Sequence, residues 1–154
     1  MGVTQTEPPT RTQAAAAVLA AKRATGLRWD QLAEVVGQST VWTTSALLGQ
    51  QTLTADQAAA AGSALDLDEG VVAALTLPPV RGAAVVDTSD PLVYRLTEMV
   101  QVYGATISEL VREEFGDGIV SAIDFEMGLE RIADPKGDRV QILINGKFLP
   151  YRIW

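Results

Sequence analysis

The 154-residue chain contains no cysteine and no histidine. Without cysteine there are no disulfides, thiolate nucleophiles, zinc–thiolate sites or iron–sulfur clusters. Without histidine, the usual general base, the commonest metal ligand and every Ser–His or Cys–His pair are excluded. Any chemistry falls to carboxylates, Arg, Lys, Ser, Thr, Tyr and backbone N–H groups. No apolar run approaches the roughly 20 residues that span a bilayer. The stretch from Met1 to Thr10 lacks a basic segment and an apolar segment, so no signal peptide is expected and a cytoplasmic location is. Met1, Gly2 and Thr6 match a minimal myristoylation pattern, but no polybasic stretch follows to give the second signal that stable anchoring needs. The formal charge of −7 argues against nucleic acid or an anionic membrane as a partner. It also requires any anionic substrate to find a local positive site.

What is present suits a globular protein of the α+β class. The chain divides near residues 78 to 90, where Pro78-Pro79 ends one helical pattern and Asp87-Thr88-Ser89-Asp90-Pro91 starts another. Residues 1–86 are expected to form a helical bundle with a linker, and residues 87–154 a second domain. In the first lobe, Ala14 to Ala24 reads as one helix and Trp29 to Val36 as a second, stopped by Gly37. Ser39 or Thr40 opens a third to Leu48, stopped by Gly49. Thr54 caps a fourth through Ala64, and Asp66 or Asp68 opens a fifth to Leu75. This layout is similar to the helix-turn-helix bundle of repressor-like domains. The segment in the recognition position, Ser39 to Leu48, has no Lys or Arg and is flanked by Gln38, Gln50 and Gln51. Duplex readers place several basic residues on phosphates, so DNA binding is not expected.

The second lobe changes character. Asp90 caps a helix with Pro91 in its first turn, and Leu92, Val93, Leu96, Met99, Val100 and Tyr103 form its apolar stripe. Gly104 is expected to end it, and Thr106 with Glu109 to open a short helix through Phe115. After the Gly116-Asp117-Gly118 turn the period changes to two over Ile119 to Phe125. Val140 to Ile144 reads as a strand, Asn145-Gly146 as a hairpin turn, and Lys147 to Trp154 as the returning strand. Strands this apolar in about 65 residues would leave sticky edges on a lone copy, which points to a homo-oligomer.

Arg95 and Glu98 lie three apart on one helical face. Spacing alone reads them as an exposed ion pair worth at most about 0.5 kcal/mol. Ser121 follows the Gly-rich turn; it lies in no G-x-S-x-G elbow and has no Lys at S-x-x-K spacing, so it is not read as a nucleophile.

The surrounding segments give these residues another meaning. Tyr94-Arg95-Leu96, Glu98, Tyr103-Gly104, Glu114-Phe115-Gly116-Asp117-Gly118-Ile119 and Ser121-Ala122-Ile123-Asp124-Phe125 closely resemble the cyanases, or cyanate hydratases. The resemblance continues through Ala133-Asp134-Pro135, Gly137-Asp138-Arg139 and Gly146-Lys147-Phe148-Leu149-Pro150, and is looser in the first lobe, resting there on the helical layout and Leu48-Gly49-Gln50. It implies a lyase that combines cyanate with bicarbonate to give carbamate and carbon dioxide, with carbamate then releasing ammonia. It implies Arg95, Glu98 and Ser121 as the catalytic group, bicarbonate as co-substrate, and no metal or organic cofactor. It further implies a homodecamer built from dimers, with sites where several subunits meet. Two other readings stay open: a transcriptional regulator with a small-anion effector domain, and a structural oligomer with a degenerate site.

Overall fold

The structure, a computed structural model, describes residues 8–83 and 85–154. The myristoylation pattern at Met1, Gly2 and Thr6 lies outside the described residues. The chain forms two compact units, Met1–Gly82 and Ala83–Trp154. Among the described residues, six helices and one two-stranded sheet make an α+β protein with a helical amino-terminal region. Among the described residues, no helix is long and apolar enough to cross a membrane.

The first unit contains α1 (Arg11–Thr25), α2 (Trp29–Val36), α3 (Thr40–Leu47), α4 (Ala55–Leu65) and α5 (Glu69–Leu75). Helix α1 starts earlier than the expected Ala14, because Thr10 and Gln13 form a capping box that satisfies orphan N–H groups. Ser39 caps α3 through Trp42 N–H. Asp68 precedes α5, whereas Asp66 adopts the left-handed conformation that closes α4. Alanine, valine and leucine from all five helices build one core around Val18, Leu32, Leu47, Leu53, Leu65 and Leu75.

Arg11 is a feature of this bundle that the sequence patterns did not single out. Its guanidinium donates to the carbonyls of Ala46 at 3.1 Å, Gln51 at 2.6 Å and Ala74 at 3.2 Å. Those carbonyls lie at the ends of α3 and α5 and in the loop between α3 and α4, where partial negative charge accumulates; those of Ala46 and Ala74 also accept from the Gly49 and Leu77 N–H groups. Desolvation holds the Arg11 pKa below its ordinary value, so the three carbonyls act in place of a carboxylate.

The second unit contains α6 (Pro91–Phe115), β1 (Gly118–Ile132) and β2 (Arg139–Pro150), the strands pairing as one antiparallel hairpin. Asp90 accepts from Leu92 and Val93 N–H and starts α6. Three sequence expectations are corrected here. First, Gly104 does not end a helix, because α6 runs unbroken for 25 residues. The apolar stripe continues through it to Ile107 and Leu110 at helical spacing, and an internal glycine costs only about 1 kcal/mol. Glu109 accordingly pairs with Arg112 at 2.9 Å rather than closing a capping box.

Second, Asn145-Gly146 is not a turn. Asn145 pairs with Glu126 and Gly146 with Phe125 inside the hairpin. The reversal falls at Asp134-Pro135-Lys136-Gly137, where Gly137 N–H donates to Asp134 O at 3.0 Å. Asp, Pro and Gly occupy the first, second and fourth positions, the preferred residues of a type I turn. Third, β2 stops at Pro150 rather than Trp154; Tyr151 N–H still donates to Asp117 O at 3.1 Å, and the last residues leave the ladder.

Two outcomes are expected. Replacing Arg11 by Met keeps the apolar stem but removes three donors, and should lower the stability of the bundle by about 1–3 kcal/mol in urea unfolding. An unchanged midpoint would show that the carbonyls find other partners. Gly104→Ala should raise stability by about 0.5–1 kcal/mol, since alanine suits a helix interior better than glycine; a loss would restore the expected break at that position.

Candidate active site

Ser121 is the one buried residue of the second unit among the described residues, at 6% exposure. Its burial follows from a local irregularity in the hairpin. The register runs regularly from Gly118 to Val120 opposite Pro150 to Phe148, and resumes at Phe125 opposite Gly146. Residues 121–124 of β1 therefore face Lys147 alone, and this surplus makes an extended β-bulge.

Inside the bulge, Ser121 Oγ accepts from the N–H groups of Ile123 at 3.0 Å and Asp124 at 2.9 Å. Those are amides that β2 leaves unpaired, so the serine replaces a missing strand partner. A serine hydroxyl has two acceptor lone pairs and one proton. With both lone pairs engaged, the O–H remains free to donate. An oxygen hydrogen-bonded twice in this way is a poor nucleophile and a good hydrogen-bond donor to an anion, consistent with its sequence context. Across the bulge, Lys147 Nζ stands 3.8 Å from Asp124 Oδ2.

Arg95 and Glu98 occupy the first half of α6, one turn apart, with Arg95 Nη1 donating to Glu98 Oε2 at 2.6 Å. The guanidinium carbon lies 5.6 Å from the centre of the Tyr94 ring, a cation–π distance. Both charged side chains are exposed in the single chain, where such a pair contributes about 0–1 kcal/mol. The pair holds the guanidinium fork in one orientation while leaving other N–H donors free for a second anion.

The structure brings Arg95 and Glu98 together but joins neither to Ser121 by any hydrogen bond or ion pair among the described residues. Arg95 lies twenty residues before Phe115, about 30 Å along a helix rising about 1.5 Å per residue. At the far end of that helix, the Phe115 and Phe148 rings approach to 5.3 Å. Helix α6 has no extended packing against either strand, and none of its residues is buried.

Sequence reasoning names Arg95, Glu98 and Ser121 as candidates but misses the bulge that orients Ser121. The missed signal is Gly146, since a glycine inside a strand pattern marks a bulge or a close backbone approach as readily as a turn.

Comparison with known proteins covers both units. Residues 85–153 match the family model described as the cyanate lyase C-terminal domain, and residues 11–79 that described as cyanate hydratase, N-terminal. The cyanate hydratase of Thiobacillus denitrificans is 55% identical over 146 residues, which cover 94% of this chain and 99% of that protein. The cyanate hydratase of Ralstonia pickettii is 56% identical over 129 residues, covering 83% of this chain and 88% of that protein. The crystal structure of the cyanase from T. urticae superposes with a TM-score of 0.78 at 36% identity, covering 89% of this chain and 96% of that one.

The Ser121 clamp yields a direct test. Ser121→Ala should leave the Ile123 and Asp124 amides without their acceptor and raise their hydrogen-exchange rates, with little change at Leu129 and Ile142 farther along the ladder. Unaltered exchange at both amides would contradict the assigned hydrogen bonds.

Proposed function

The chain belongs to the cyanate lyase family, and we propose on that premise that it decomposes cyanate with bicarbonate as co-substrate, through Arg95, Glu98 and Ser121. Family membership through both units carries this reading. It is supported by an arginine already oriented by a carboxylate and by a buried serine hydroxyl held as a donor.

The reaction must bring two anions together. At about 4 Å and an effective dielectric of about 20, their repulsion is about 4 kcal/mol, and the protein's net charge of −7 adds to it. Arg95 supplies the opposing charge and a planar fork for carboxylate-like oxygens. Ser121 donates to the oxygen or nitrogen that gathers charge as cyanate bends. A bicarbonate oxygen bonds to the cyanate carbon, and the bond from that oxygen to the former bicarbonate carbon then breaks. Carbon dioxide leaves and carbamate remains. The cyanate nitrogen takes the bicarbonate proton and one more from solvent; carbamate with a further proton gives ammonia and carbon dioxide. Glu98 orients Arg95 and is placed to relay a proton. Bicarbonate is the nucleophile, and the scheme uses positioning and electrostatics, without a resident metal or cofactor.

The same reading includes a homo-oligomer. Ten large apolar or aromatic side chains of α6 are exposed in one copy, among them Leu92, Met99, Val100, Tyr103, Ile107 and Leu110. Each of these six is already partly covered, so completing its burial contributes about 1 kcal/mol, and the six together about 6 kcal/mol, within the range of a whole domain's stability. Other copies of the chain are the partner that covers this surface, in a decamer of five dimers, and they bring Ser121 of one copy toward Arg95 of another. A cytoplasmic location suits a protein that needs no disulfide and acts on a small intracellular anion. A DNA-binding regulator is disfavoured by α3, which carries no Lys or Arg.

Purified protein should release ammonia from cyanate when bicarbonate is supplied and not when it is removed. Arg95→Ala should cut turnover by about 100-fold or more while the particle size in light scattering stays that of ten chains. Full activity in Arg95→Ala, or bicarbonate-independent turnover, would refute the assignment.

A further inference from the structure

Position 146, at the edge of the bulge that buries Ser121, has little room for a side chain. A Cβ built on Gly146 would stand 2.5 Å from Val120 Cγ1, 2.7 Å from the carbonyl oxygen of Ser121 and 3.4 Å from Phe125 Cδ2. The first neighbour is a side-chain methyl that is able to rotate. The second is backbone of the catalytic serine itself, and it has no such escape. Gly146 is not among the residues with positive φ, so its backbone conformation is open to alanine. The requirement for glycine is therefore one of space, directed at Ser121.

The neighbouring glycine of the same hairpin shows the contrast. A Cβ at Gly128 would meet only Leu143 Cβ at 3.7 Å, an ordinary contact. Of the three glycines on this ladder, Gly128 is replaceable, Gly118 is confined by Leu149 O and the Phe148 ring, and Gly146 is the one whose missing side chain adjoins Ser121.

Resting on the assignment of Ser121 above, we propose that Gly146 is a positioning residue for catalysis, acting through Ser121. Its missing side chain lets β2 close onto the bulge at Ser121 O. That approach holds residues 121–124 in the loop that turns the Ile123 and Asp124 amides onto Ser121 Oγ. The hydroxyl proton is thereby aimed at substrate. A methyl at position 146 pushes on the Ser121 carbonyl, shifts the Oγ and loosens both amide bonds. Displacements of about 1 Å in a catalytic group cost about 100-fold in rate.

The test is a double-mutant cycle on the full chain, with ammonia release from cyanate and bicarbonate as the readout. Gly146→Ala, Ser121→Ala, the double variant and Gly128→Ala are compared at a temperature where each is folded. Gly146→Ala should lower kcat by about 10- to 100-fold with a smaller change in KM for cyanate, and Gly128→Ala should stay within about 2-fold of the parent. In the Ser121→Ala background, Gly146→Ala should cost nothing further. A Gly146→Ala protein with parental kcat, or a double variant whose losses multiply, would overturn the proposal. Full activity in Ser121→Ala would instead remove the assignment beneath it. If Gly146→Ala does not fold, Val120→Ala/Gly146→Ala, which relieves the side-chain half of the clash, is compared with Val120→Ala for the same loss. A chain that folds in neither form would make Gly146 a requirement of the fold alone and overturn the proposal equally.

Discussion

Burial of apolar surface is the largest favourable contribution to folding, and the second unit leaves it undone within one chain. Helix α6 has no buried residue, and both strands expose leucine, isoleucine and valine along most of their length. The first unit presents the opposite case, with Leu32, Leu47, Leu53, Leu65 and Leu75 enclosed in one core. One chain therefore carries a finished domain followed by one that, on the proposed reading, other copies of itself complete. Oligomerisation on this reading is part of folding, and the catalytic group is assembled by the same event that buries the apolar helix.

The polar residues fit that division of labour. Arg95 and Glu98 sit on the helix, exposed and prealigned at 2.6 Å. Ser121 sits on the hairpin, already locked by two backbone amides. Each half is organised before the other arrives, so little side-chain freedom remains to be lost when substrate binds. Ion pairs exposed in a single copy are worth little; under the proposed assembly, Arg95 would be removed from water between copies and would become a strong electrostatic partner for two small anions.

Much of this was legible in the sequence because it follows from local rules. Trp29–Val36 was bounded correctly, since a left-handed glycine at Gly37 closes it. The trio of Arg95, Glu98 and Ser121 rests on the resemblance to the cyanases, after the absence of His and Cys leaves few alternatives, and its role stays part of the proposal. The failures share one cause. Gly104 and Gly146 were both read as punctuation, yet one lies within a continuous helix and the other within a strand. A glycine's local preference does not reveal whether the chain around it has a partner that keeps the element going. Arg11 was missed for a related reason: its three carbonyl partners are 35 to 63 residues away in sequence, and no local pattern announces them.

Subunit complementation tests most directly the central claim, that the site forms only where copies meet. Arg95→Ala and Ser121→Ala chains, each with only a small residual activity alone, are unfolded, mixed in equal amounts and refolded together. If Arg95 and Ser121 of one site come from different chains, some sites in the mixed particles receive both intact residues, and bicarbonate-dependent ammonia release returns to a substantial fraction of the parent's. A mixture that forms mixed particles of full size yet stays as inactive as its components would place the whole catalytic group within one chain and contradict the account.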